Sequence, residues 1–315
     1  MQNISPSEKR RIYAAIEKLK GRYTSVESRV GYRPTPHEFA ETILGGPLDD
    51  WQREFLDDAM ESPRVAIAAC RQSGKSTVAG LFAAWCLIFM PGFSCLVASR
   101  SLRQASHFLT LVRMAVLAFI PRDAMVQLNR LSMELPNGSM IISVPCSTPD
   151  AGRGFSPYMI ILDEAAFAPE ALFRALSPSL AATHGAMMML SSPNGRQGAF
   201  FNAFEGDSIG VYRTHLVPWT SCPRIDPAFI EEEKIALGML YFEQEYMAKF
   251  ITPQGAFFGF SALSQFGAGE EEDLSGLELR EIEDWMDSRM PDPTVEDLSA
   301  ALDRTQRVTK MMYGS

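Results

Sequence analysis

The chain has 315 residues, 46% of them hydrophobic, and a formal net charge of −9, which is enough apolar material for one large core, alone or with attachments. The negative balance excludes a broadly basic nucleic-acid coat but not a local basic stripe, because residues 261–315 hold thirteen acids against five bases, a net of −8 that leaves −1 for the rest. Five scattered cysteines without a C-x-x-C, and four isolated histidines without an H-E-x-x-H, point to neither a disulfide framework nor a zinc knuckle.

Residues 1–20 are polar and charged, unlike a signal peptide. Within them Ile12, Ala15, Ile16 and Leu19 recur at helical spacing behind Ser5 and Pro6, predicting an amphipathic helix over 5–19. A polar connection leads to Thr35 and Pro36, which open a second helix to about Leu44; Gly45, Gly46 and Pro47 break it. A third helix starts at Leu48 and carries Trp51 and Gln52. The Gln52 amide both donates and accepts, so it can read the N6 and N7 edge of adenine. The alternative is an ordinary helix with Trp51 packed in the core.

Residues 65–69 are a short apolar run that reads as a buried parallel strand, and residues 78–89 an apolar, Ala-rich helix too short to cross a bilayer. Between them run Cys70, Arg71, Gln72, Ser73, Gly74, Lys75, Ser76 and Thr77. Strand, loop, Gly-Lys-Ser and helix form the context of a phosphate-binding loop. Its backbone N–H groups and the helix dipole face the phosphates. Lys75 can reach the β- and γ-phosphates, and the Ser76 hydroxyl can ligate magnesium with Thr77 beside it. The usual pattern opens with Gly, whereas Ala69 stands there.

A second strand over 93–98 leads to a long helix over 99–119, whose stripe of Leu102, Ala105, Phe108, Leu109, Val112, Val116 and Phe119 faces the core. Short strands over 125–128, 132–135 and 140–144 follow, the last two joined by a Pro136-Asn137-Gly138 turn. Then Met159, Ile160, Ile161 and Leu162 run into Asp163 and Glu164. A buried strand delivers such acids to its C-terminal edge, where ligands sit in open α/β sheets. Asp163 can hold magnesium, and Glu164 can polarise a water for in-line attack on the γ-phosphate. A helix over 169–180 and a strand over 185–190 lead to Ser191, Ser192 and Pro193, whose hydroxyls can sense the γ-phosphate through Glu164; a plain turn is the other reading. A helix over 198–205, a strand over 211–217, a helix from Asp226 and Pro227 to about Ile235 and an amphipathic helix over 239–250 close the compact part. Beyond residue 260 the chain turns acidic and Pro/Gly-broken, suggesting a linker and a helical or disordered tail.

In order and spacing, these motifs resemble the ATPase domain of a phage terminase large subunit over residues 48–259. The resemblance rests on Trp51-Gln52, the Arg-Gln-Ser-Gly-Lys-Ser-Thr loop, Arg153-Gly154, the run from Ile161 to Phe167, Ser191-Ser192-Pro193-Asn194-Gly195, and Gln244-Glu245-Tyr246. The family's loop commonly lacks the first Gly, so Ala69 fits. The resemblance implies an α/β fold of the P-loop (ASCE/RecA-like) type, with a mainly parallel sheet flanked by helices. It implies an N-terminal helical segment over 1–47, an ATPase core over 48–218, a lid over 219–260 and an acidic tail over 261–315. ATP and Mg2+ are the implied cofactors. Gln52 would bind adenine, residues 71–77 phosphate, and Ser76 and Asp163 the metal. Glu164 would be the catalytic carboxylate, Arg71 a cis arginine and Arg153 an arginine reaching a neighbouring subunit. Ser191, Ser192 and Pro193 would couple hydrolysis to motion.

The implied partners are double-stranded DNA, a homo-oligomeric ring (pentameric in the family) on a portal, a small terminase subunit and no membrane. The implied setting is the host cell cytoplasm, transiently on the procapsid. One departure bears on activity. The family continues into a nuclease with carboxylates on buried strands, and a two-metal site needs such convergence. The tail acids lie in solvated, broken segments, so nuclease activity is expected on a separate chain or segment. A helicase-like ATPase and a nucleotide-gated scaffold with little turnover are the alternatives.

Overall fold

The computed structural model describes residues 33–146 and 155–252. The expected first helix, Arg153 with its flanking glycines, and the acidic tail lie outside the described residues.

Helix α1 (Pro36–Leu44) begins at a Thr35–Glu38 capping box and ends at Gly45 in the left-handed region. Helix α2 (Asp50–Glu61) begins at Asp49, which forms a second capping box with Gln52. There follow β1 (Arg64–Ala69), α3 (Lys75–Phe89), β2 (Ser94–Ser99), α4 (Leu102–Leu117), β3 (Gln127–Leu128), β4 (Ser132–Glu134) and β5 (Met140–Pro145). The second half holds β6 (Met159–Asp163), α5 (Glu170–Leu176), β7 (Ala186–Ser191), α6 (Gly198–Glu205), β8 (Arg213–Val217), α7 (Pro227–Leu237) and α8 (Met239–Glu245).

The strands form one 8-stranded sheet in the order β3-β4-β5-β2-β6-β7-β1-β8. All neighbours are parallel except β3–β4 and β4–β5, an antiparallel meander on one edge. Strand β7 lies between β1 and β6, so the phosphate-loop strand and the acidic strand are next-but-one neighbours. Helices cover both faces, and the strands read apolar on both. Val65, Ile67 and Ala69 face the layer of α1 to α4, while Ala66 and Ala68 face the layer of α5 and α6. Cys95 and Val97 against Leu96 and Ala98, and Met159 and Ile161 against Ile160 and Leu162, repeat the alternation. In α3 every residue except Ser76 and Thr77 is buried, which explains its nearly uniform hydrophobicity.

Several expected boundaries shift for local reasons. The helix expected over 169–180 gives way to a 3-10 turn at Ser177–Leu180, because Pro178 has no N–H and its ring clashes with the preceding turn. The helix expected over 99–119 starts later, because β2 runs to Ser99 and Ser101 is the N-cap. The helix expected over 239–250 stops at Glu245, and Ala248 takes a positive φ of 52°. The turn sends two aromatics to different cores: Tyr246 packs with Ile230 and Phe242 in a satellite cluster, and Phe250 packs among Phe200, Phe201 and Phe204 on the sheet.

Candidate active site

The parallel strands end on a common edge, and β1, β6 and β7 bring their following residues together there. After β1 the chain wraps through Gln72 (φ 57°) and Gly74 (φ 90°) into the first turn of α3. Gly74 is required twice over. Its φ is left-handed, and a Cβ there would lie 3.3 Å from Gln52 Nε2 and 3.4 Å from Arg224 Nη2. Lys75 is buried, Ser76 and Thr77 are half-buried, and Gln72 is exposed. The Ser73 hydroxyl is buried without a hydrogen-bond partner.

Strand β6 delivers Asp163 and Glu164 opposite this loop. Ser76 Oγ donates to Asp163 Oδ1 at 2.8 Å. Lys75 Nζ lies 3.3 Å from Glu164 Oε1. From the end of β7, Ser191 Oγ donates to Glu164 Oε2 at 3.1 Å. Glu164 holds a left-handed backbone (φ 59°, ψ 46°) that turns its side chain back toward the loop before a 3-10 turn. Such a conformation is costly for a non-Gly residue and is typical of functional sites. Ser192 and Pro193, also buried, continue from β7.

The electrostatics suit a cation. Burial, and then the neighbouring charge of Glu164, push Asp163 up to about 6, against the hydrogen bond from Ser76 and the charge of Lys75. A cation between Ser76 and Asp163 would relieve that crowding. A hydroxyl and a carboxylate are hard oxygen donors, the set magnesium takes while keeping waters and substrate oxygens. No group of three or more His, Cys, Asp or Glu converges as a metal cage among the described residues.

Gln52 is buried beside the loop, but its Oε1 accepts from the Asp49 N–H at 3.0 Å within the capping box. In this conformation its Oε1 already accepts one hydrogen bond, while no bond of its Nε2 is seen among the described residues. Arg71 points out of the loop. Its Nε donates to Glu245 Oε2 at 2.6 Å and its backbone N–H to the Glu245 carbonyl at 3.0 Å, which ties it to the end of α8. Two neighbours of the loop escaped sequence reasoning. Asp49 had a signal in its spacing of three residues before Gln52. Arg224, in an irregular connection before α7, had none.

Strand order, loop and acidic strand end together define an α/β fold of the P-loop type. More narrowly, it is the fold of phage large-terminase ATPase domains. The Thermus phage P74-26 large terminase ATPase domain superposes with a TM-score of 0.60 at 23% identity, covering 70% of this chain and all of that one. A large terminase from a thermophilic bacteriophage, in complex with ATP-γ-S, superposes with a TM-score of 0.51 at 10% identity, over 65% of this chain and 53% of that one. In sequence, the chain is 27% identical over 235 residues to the large terminase subunit of Escherichia phage T5, 70% of this chain and 51% of that protein. The chain thus spans about half the length of that curated relative. No protein-family model matches it.

Proposed function

We propose that this chain is the ATP-hydrolysing part of a motor that moves double-stranded viral DNA into a procapsid. The observation that carries the reading is the cluster in which Ser76 meets Asp163 while Glu164 meets both Lys75 and Ser191. It stands on a terminase ATPase fold, and it joins phosphate loop, acidic strand and β7 in one network.

Each contact has a role in hydrolysis. Lys75 turns its ammonium from Glu164 to the β- and γ-phosphate oxygens when nucleotide enters, a charge-assisted contact. Ser76 and Asp163 would hold a divalent cation, which would supply positive charge to the phosphates. Glu164, freed from Lys75, takes a proton from the attacking water as the water oxygen bonds to the γ-phosphorus. The bond to the β–γ bridging oxygen breaks, and ADP and inorganic phosphate result. Ser191 follows the state of Glu164 through its hydrogen bond, and Ser192 and Pro193 pass the change toward α6. Arg71 serves the γ-phosphate only after leaving Glu245. Arg153, between Gly152 and Gly154, serves a neighbouring subunit in a ring.

The partners in this reading are DNA, further copies of the chain in a pentameric ring, a portal and a small terminase subunit, with DNA cutting supplied elsewhere. The test is ATPase rate against protein concentration, with and without DNA. A ring motor shows activity rising steeply with assembly. Stimulation of a monomer by single strands would replace it with a helicase-like reading, and tight nucleotide binding with no turnover in any state would replace it with a scaffold. Mixing Arg153→Ala with Glu164→Gln subunits restores part of the activity if the finger acts across subunits.

A further inference from the structure

Against the phosphate loop, at Ser73 and Gly74, lies a polar cluster that the hydrolytic roles leave unused. It is built around Arg224. Its Nη2 donates to the Ser73 carbonyl of the loop. The same nitrogen lies 3.2 Å from Asp49 Oδ2, with both side chains largely buried, although that oxygen has no aligned donor of its own. The guanidinium also covers the bare Cα face of Gly74, next to Gln52 Nε2.

The chain around Arg224 is held stiffly. Cys222 N–H donates to the Trp219 carbonyl, Ile225 N–H to the Cys222 carbonyl and Trp219 N–H to the Tyr246 carbonyl, at 2.9, 3.0 and 2.8 Å. Two residues on, Asp226 caps α7 through the Ala228 N–H at 2.9 Å. The guanidinium is therefore presented from a turn that is fixed both to the satellite helices and to the end of β8.

Resting on the nucleotide-binding reading above, we infer that Arg224 is a positioning residue for nucleotide: it shapes the phosphate loop. A loop that cradles phosphate turns its N–H groups inward and its carbonyls outward, so an outward carbonyl needs a donor. Arg224 gives Ser73 that donor. By anchoring on Asp49, the N-cap of the helix that carries Gln52, it also fixes the loop relative to the base side of the site. One terminal nitrogen, Nη2, serves both groups, with the Ser73 carbonyl as its hydrogen-bond acceptor and the Asp49 carboxylate as its ion-pair partner. Arg224 touches no reacting atom in this scheme. Its effect falls on how well the loop is preformed for phosphate, and so on affinity more than on the chemical step.

The experiment is calorimetric titration of the whole chain with ADP and with a non-hydrolysable ATP analogue, plus steady-state kinetics, on Arg224→Ala, Arg224→Lys and Lys75→Ala. Arg224→Ala is expected to raise the nucleotide Kd and the KM for ATP together by about tenfold, with kcat at saturating ATP within about threefold. Arg224→Lys, which keeps a positive charge near Asp49 on a shorter, differently placed donor, falls between. A folded Arg224→Ala chain with unchanged Kd overturns the inference, and so does a loss of kcat at unchanged KM. If the Ala variant fails to fold, the Lys variant decides: wild-type affinity overturns the inference, and a raised Kd at unchanged thermal midpoint supports it. Lys75→Ala separates the two readings. If it loses affinity and Arg224→Ala does not, the positioning role alone fails; if it keeps affinity, the nucleotide site itself is wrong.

Discussion

The edge of the sheet and the hairpin of α7 and α8 are held in place by different means. At the sheet edge Asp163 and Ser191 are the last residues of buried parallel strands placed by register, Glu164 follows Asp163, and Lys75 opens α3 after the loop that leaves β1. The hairpin has a core of Ile230, Phe242 and Tyr246, each worth on the order of 1.5–3 kcal/mol when fully buried. It meets the body through Arg71–Glu245, Arg224 with Asp49 and Ser73, and the bond from Trp219 to Tyr246. Its outer side exposes Ile235, Met239 and Leu240. The first region is placed by strand register, and the second by side-chain and turn contacts. Two of the polar links between them, from Arg71 and from Arg224, are made at the phosphate loop.

The contrast is broken most severely by testing whether the fixed region does the chemistry. Glu164→Gln keeps the shape and the Ser191 contact but cannot take a proton, so turnover is expected to fall ~10²–10⁴-fold while nucleotide still binds. Single-turnover hydrolysis beside nucleotide titration checks this, and near-normal turnover sinks the assignment. Next is the aromatic tether beyond the hairpin. Phe250 is buried against Phe200, Phe201 and Phe204, and Phe250→Ala is expected to destabilise the chain by ~3–5 kcal/mol in denaturant melts. A loss below about 1 kcal/mol would mean that this tether does not hold the chain to the sheet. Lys75→Ala removes one charged contact to phosphate, worth about 1.5–3 kcal/mol of binding, so ADP affinity is expected to drop about 10–150-fold. Unchanged affinity would count against the phosphate loop.

A pH dependence sharpens the same side. Asp163 is held up at about 6 against an ordinary 3.8, so the folded chain binds this proton more tightly than the unfolded one. The metal-free chain should therefore lose stability as pH rises from about 4 to about 6, and Asp163→Asn should remove that loss. Thermal midpoints across this range, without divalent cations, decide it; a slope unchanged in Asp163→Asn assigns the effect elsewhere.

The sheet region was legible from sequence and the hairpin's attachment was not. Apolar runs, Gly-Lys-Ser and a strand ending in two acids carry information locally, because a parallel strand converts position in the chain into position at the edge. The contacts of Arg71 with Glu245, and of Arg224 with Ser73, join residues 174 and 151 positions apart. Nothing local marks such pairs. Gln52 shows a subtler limit. Its place on a helix just upstream of the loop strand was readable, but the capping box that its amide oxygen closes with Asp49 was not read. Likewise, apolar spacing predicted a helix through Phe250, because periodicity does not reveal that Tyr246 and Phe250 serve separate cores.

The smallest effect probes the link between the regions. The Arg71 side chain is 65% exposed and that of Glu245 is 14% exposed, so their ion pair is largely solvated on one side. Such pairs contribute about 0.2–1 kcal/mol. The backbone bond from Arg71 to the Glu245 carbonyl does not need the carboxylate. Glu245→Gln should therefore lower the thermal midpoint by no more than about 2–4 °C, far less than Phe250→Ala. Its consequence for nucleotide should have the opposite sign. With the carboxylate gone, the guanidinium no longer has to give up an ion pair to meet a γ-phosphate, so a non-hydrolysable ATP analogue should bind more tightly while ADP affinity stays the same. A selective gain for the triphosphate would show that Arg71 exchanges Glu245 for nucleotide, and that the hairpin is released by what binds at the sheet edge. Equal changes for both nucleotides, or a large loss of stability, would make the pair a structural tie and remove Arg71 from the γ-phosphate.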